Sequence, residues 1–287
     1  MREIKLITNC ERKPNWLMDI AVKHWLKSGF KPEQLIFLVN NISDFDMVEE
    51  LKKRYNIDAE RVHSAEDIYR KDTCVVWDDL EEYDYGLCHD REAPIINDVQ
   101  HRLLDKGVDV VIFLDRDELL WHESGDLMNV LNTFEEPLIR PRGIEVIQTG
   151  EEDSLDLSKP ISEQRKYLRH FLSKSKACIT RTPVDWIIGR HGTQCGKWPH
   201  ADVVAHPELQ FHPERSTTEY PGLYLVHFDK VDMNLLYELR MESQNIFKSN
   251  DRHTGVIGVE EFTQWFTEAQ RNGELYEDTE FLKKVGV

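Results

Sequence analysis

Three short, largely apolar runs constrain this chain most: IKLIT at Ile4–Thr8, LIFLV at Leu35–Val39 and VDVVIFLD at Val108–Asp115. Between them apolar residues recur at helical rather than strand spacing. Pro14–Lys27 carries Trp16, Leu17, Ile20, Ala21, His24 and Trp25 in that rhythm. Asp44 is placed to cap a second helix through MVEELKKRY, a further strand is expected at Arg61–Ser64, and Glu92–Lys106 reads as a helix closed by Gly107. Strands without polar alternation, separated by helices, form parallel sheets covered on both faces. Ligands then sit at the carboxyl ends of the strands, where Asn9, Asn40, Asn41, Asp115 and Asp117 all fall.

After Gly125 the rhythm changes. A helix is expected at Leu127–Thr133, a strand at Leu138–Ile147, then the polar loop GEEDSLDLSKPISEQ. Further strands are expected at Lys176–Thr180 and Leu223–His227, with irregular His-rich sequence between them and helices from Asn234 onward. A length of 287 residues accommodates one sheet with an elaborated second half. The expected division is 1–125 for a first binding half, 126–233 for a second half of the same domain, and 234–287 for a helical C-terminal segment.

Composition excludes several function classes. A net charge of −17 opposes attraction to nucleic acid phosphates. No window approaches the roughly 18 apolar residues of a membrane helix. MREIKLITNC lacks the pattern of a signal peptide, so a cytoplasmic location is expected. Five cysteines without a CxxC pair, namely Cys10, Cys74, Cys88, Cys178 and Cys195, point to reduced and mostly buried thiols.

The segment VVIFLDRDELLWH ends an apolar strand in Asp115, Asp117 and Glu118. Carboxylates this close repel one another unless a cation shares them. In extended backbone Asp115 and Asp117 point to one side, and hard cations such as Mg²⁺ or Mn²⁺ are often held by one or two carboxylates plus substrate phosphates. A solvated turn after a strand is the plainer alternative.

These residues also carry a family resemblance. GVDVVIFLDRDELLW resembles the segment of family 2-like glycosyltransferases of the GT-A fold in which a strand ends in an Asp-x-Asp-Glu motif. ITNCERKPNWL and HWLKSGFKPEQLIFLVNNISDFD resemble the family's opening Asn-x-Glu segment, first helix, second strand and Asn-x-Ser-Asp loop. Asn97 sits where such enzymes have a helix leading into the motif, and LYLVHFDKVDM is a weaker match. The resemblance covers roughly residues 4 to 122.

It implies a GT-A fold: a Rossmann-like, mostly parallel sheet flanked by helices, with an elaborated acceptor-side half and a helical C-terminus. It also implies a metal-dependent transferase moving a sugar from a nucleotide-sugar, UDP- or GDP-linked, to a glycan or other hydroxyl, with inversion expected. Thr8, Asn9, Glu11, Asn40 and Asn41 would line the nucleoside pocket, and Arg91 would meet donor phosphate or sugar. Asp115 would hold donor ribose, sugar or metal; Asp117 and His227 would hold Mn²⁺ or Mg²⁺. Glu118 would position the loop or meet the acceptor, and Asp185 and His191 are the candidate bases. Trp121 and Trp186 are candidates for stacking on sugar rings, with core packing the alternative.

Other readings fit less of the chain. A zinc site from His191, Cys195, His200, His206 and His212 lacks a recognised spacing. A haloacid dehalogenase-type phosphatase also ends a strand in Asp-x-Asp, but its motif lies near the N-terminus and continues with Gly or Thr. A catalytically silent sugar-binding module on the same fold would not need Asp115 and Asp117 together. No GxGxxG follows the first strand, which disfavours a Rossmann oxidoreductase.

Overall fold

The computed structural model describes residues 1–10, 15–39, 49–50, 52–56, 60–64, 96–149, 152–170, 176–184, 219–232, 271–272 and 275–287. Ten strands among them join into one sheet. Its first block runs β3 (Glu60–Ser64), β2 (Leu35–Val39), β1 (Ile4–Cys10), β4 (Val110–Leu114), and every pairing in it is parallel. The chain is therefore an α/β protein with a parallel central block, as the apolar runs predict.

Successive residues of the same strand enter opposite cores. Leu6, Leu35, Phe37, Val110, Ile112 and Leu114 join one cluster with Leu17, Met18, Ala21, Val22 and Trp25 of the helix Asn15–Lys27. Ile7, Ile36, Leu38, Val111 and Phe113 join another with Ile96, Val99 and Leu103. Those three belong to a helix through residues 96–105, which ends on Gly107 at φ +94°. Both faces of the block are thus covered, and full burial of each large side chain contributes roughly 1.5–3 kcal/mol.

The second half is mostly antiparallel. β6 (Leu138–Ile147) pairs antiparallel with β7 (Tyr167–His170) and β8 (Ile179–Thr180), and parallel with β9 (Glu219–Lys230). β8 also pairs antiparallel with β4 and so joins the two halves. β5 (Glu118–His122) pairs antiparallel with β9. The strand expected from Lys176 begins only at Ile179, because Lys176 is drawn into ion pairs; the strand expected at Leu223–His227 extends over twelve residues.

Beyond residue 270, a short β10 (Tyr276–Glu277) pairs with β7. The helix Thr279–Val285 then buries Leu282 and Val285 in the first core. No helix among the described residues is long and apolar enough to cross a membrane.

Candidate active site

The parallel register sets Thr8 beside Leu114, so the carboxyl ends of β1 and β4 lie side by side and Asp115 follows at once. The chain does not stay extended there. Glu118 N–H donates to Asp115 O at 3.0 Å, closing a turn over residues 115–118, and the Asp115 N–H donates back to Glu118 Oε2 at 2.8 Å. The turn parts the two aspartates that an extended strand would align.

Asp115 faces Lys176, whose Nζ lies 2.7 Å from Asp115 Oδ2 and 2.6 Å from Glu118 Oε2. Asp117 faces β9, with its Oδ2 3.8 Å from His227 Nδ1. The Asp117 carbonyl accepts from Phe228 N–H at 2.9 Å, which fixes the turn against β9. Glu118 is the hub: fully buried, it takes Lys176 on one oxygen and His227 Nε2 on the other at 2.5 Å.

The register explains this meeting. Glu118 and Glu145 both stand opposite His227, from β5 and β6. Cross-strand partners share a face of the sheet, so the three side chains form a buried polar row. Lys230 pairs with Glu145 at its far end. Burial disfavours the charged form of Lys176, but Asp115 and Glu118 outweigh it and hold its pKa above the ordinary lysine range. Burial raises the neighbouring Cys178 thiol, which is free and keeps its proton.

The separation of Asp117 and His227 lies within the span that two donors on one hard divalent cation can bridge. Two donor atoms on one ion lie at most about 4.2 Å apart, twice a bond of roughly 2.1 Å, and theirs are 3.8 Å apart. A neutral His227 ring that donates from Nε2 to Glu118 carries its lone pair on Nδ1, facing Asp117. A carboxylate on the remote nitrogen is the usual support of a metal-binding histidine. Among the described residues no group of three or more His, Cys, Asp or Glu side chains is placed to hold a metal ion. Two protein ligands suit an ion that draws the rest from substrate phosphate and water.

Thr8 is fully buried next to this turn, and its hydroxyl has no hydrogen-bond partner among the described residues. Asn9 lies one residue further along β1. Glu11, Asn40, Asn41, Arg91, Asp185, Trp186 and His191 lie outside the described residues, as do Cys195, His200, His206 and His212. The entry to Asp185 is nonetheless anchored: buried Gln100 accepts from Val184 N–H at 2.8 Å and donates to Val184 O at 3.0 Å.

Trp121 packs on Tyr224 and Phe281 with ring centroids 5.6 and 5.3 Å away. Strand alternation puts it on the face away from Glu118 and His227, which favours its packing role. Sequence reasoning missed Lys176 and Glu145; the one local signal for Lys176 was a lysine heading the apolar run KACIT.

No protein-family model matches the sequence, and no curated protein matches it. Among solved structures, the chain is similar to mouse xyloside xylosyltransferase 1 in its apo form, at 13 % identity and a TM-score of 0.33. The alignment covers 50 % of this chain and 52 % of the mouse chain, so the match spans about half of that protein. It is also similar to residues 1–349 of TarS from S. aureus, at 12 % identity and a TM-score of 0.28, over 95 % of this chain and 74 % of that one.

Proposed function

We propose that this chain is a metal-dependent glycosyltransferase of the GT-A type, moving a sugar from a UDP- or GDP-linked donor to a hydroxyl of a glycan. The observation that carries the reading is the turn at the end of β4, which sets the Asp117 carboxylate 3.8 Å from a histidine already held by Glu118. Asp117 and His227 would hold Mn²⁺ or Mg²⁺. When bound, the ion supplies positive charge to the donor pyrophosphate, where negative charge gathers as the glycosidic bond breaks.

The other residues position and select. The Thr8 hydroxyl, unpartnered among the described residues, is assigned with Asn9, Glu11, Asn40 and Asn41 to the nucleoside, and Arg91 to donor phosphate or sugar. Asp115, steadied by Lys176, is assigned to donor ribose or sugar. Asp185 follows the Val184 backbone that Gln100 clamps, and it is assigned, with His191 as the second candidate, the proton of the acceptor hydroxyl in an inverting transfer.

Thermal stabilisation by UDP-, GDP-, dTDP- and CMP-sugars, each with and without Mn²⁺, tests the reading, because a ligand that binds only the folded state raises its apparent stability. A metal-requiring shift for one nucleotide is expected. Asp117→Ala should remove that shift and lower transfer by about 10³-fold or more while leaving the melting temperature of the free protein almost unchanged. No shift with any nucleotide-sugar, together with hydrolysis of phosphate esters, would replace the transferase with a phosphatase.

A further inference from the structure

The turn at the end of β4 places three carboxylates within four residues, yet their environments differ. Lys176 Nζ bridges two of them, 2.7 Å from Asp115 and 2.6 Å from Glu118. The ammonium also sits 4.7 Å from the centre of the Phe113 ring, and its side chain is only 13 % exposed. Such a position is costly for a lysine unless charges repay the lost hydration, and here two carboxylates do so. The bridge spans 61 residues of sequence and reaches across the β4–β8 pairing.

We propose that Lys176 is the internal counter-ion of this turn. It balances one of the two negative charges of Asp115 and Glu118 and fixes both carboxylates in place, so that, among the described residues, an incoming divalent cation meets Asp117 and His227. Two protein ligands hold such an ion weakly, because affinity rises with the number of charged oxygens offered. The site therefore takes its metal together with the donor pyrophosphate, whose oxygens complete the coordination. Metal without nucleotide leaves the site empty, and the lysine enforces that order. Lys176 is thus a positioning residue, acting through the carboxylates it holds.

This inference rests on the glycosyltransferase reading for its use of the pyrophosphate, but its central test needs no nucleotide. Free Mn²⁺ would be followed by electron paramagnetic resonance during titration of the wild-type protein, Lys176→Met and Lys176→Arg. Wild type and Lys176→Arg should bind Mn²⁺ alone weakly. Lys176→Met should bind it at least about tenfold more tightly, because the positive charge beside the site is gone and Asp115 is released to offer an oxygen, while Glu118 stays on His227. A lysine that merely stabilised the fold would give no such gain, so equal or weaker binding by Lys176→Met overturns the proposal.

Should Lys176→Met fail to fold, the same comparison is made between Glu118→Gln and the double variant Glu118→Gln with Lys176→Met. The pair removes one buried charge of each sign, and the gain is then expected from Asp115. In a separate arm, UDP or GDP should raise wild-type Mn²⁺ affinity at least about tenfold. Absence of any effect from both UDP and GDP would sink the transferase reading and leave the result on Lys176 standing, whereas tight wild-type binding of Mn²⁺ alone would overturn the counter-ion role.

Discussion

At the scale of single residues, burial decides what each charged or polar group can do. His24, 4 % exposed, donates from Nε2 to Leu120 O at 2.9 Å and so ties the first helix to β5. Burial, helped by Lys27, pushes its pKa below the ordinary 6.5 against the opposing pull of the Leu120 and Val285 carbonyls. The unfolded chain therefore binds a proton that the folded protein resists, and stability present above pH 6.5 is lost as pH falls toward the depressed folded value. Urea unfolding between about pH 5 and pH 8 should show this decline, and His24→Gln should flatten it. A decline unchanged in His24→Gln would assign it to other groups. The candidate site was partly legible at this scale: Asp117 and His227 were both readable, one as the end of an apolar run and the other inside a late one. Lys176 was not, since a lysine heading the run KACIT does not say which distant carboxylates it meets.

At the scale of elements, local chemistry did most of the specifying. The helix through residues 96–105 ends as its sequence predicts, with Gly107 at φ +94° and Val108 N–H donating to Leu103 O at 3.1 Å. A β-carbon at Gly107 would meet nothing within 4 Å, so substitution there tests backbone conformation without a clash. Gly107→Ala should cost about 1–2 kcal/mol in denaturant unfolding, and Gly107→Asn less, because Asn tolerates the left-handed region. Equal costs would point to an effect other than the dihedral angle. Strand boundaries were less legible where long-range contacts set them. β8 starts three residues late because Lys176 turns toward Asp115, and β5 exists as a strand because β9 arrives beside it.

At the scale of the whole molecule, the second half is held by contacts between distant segments. Arg165, 2 % exposed, donates from Nε to Val231 O at 2.5 Å and lies 3.8 Å from buried Asp232. Asp232 in turn accepts from Leu155 N–H at 2.5 Å, so the β6–β7 connection is pinned to the end of β9. Arg165→Met removes one member of a buried charge pair and should cost roughly 3–5 kcal/mol in urea unfolding, with the first-half variant Gly107→Ala adding independently. A loss under about 1 kcal/mol would show that Asp232 is compensated without it. The sequence by itself determined the parallel block and the place of Asp115 at its carboxyl edge, because apolar periodicity and helix caps act between residues a few positions apart. Only the tertiary structure decided which side chain each carboxylate faces: Lys176 reaches Asp115 across 61 residues and His227 reaches Glu118 across 109. Those pairings depend on strand register, and register is set by the packing of the whole sheet.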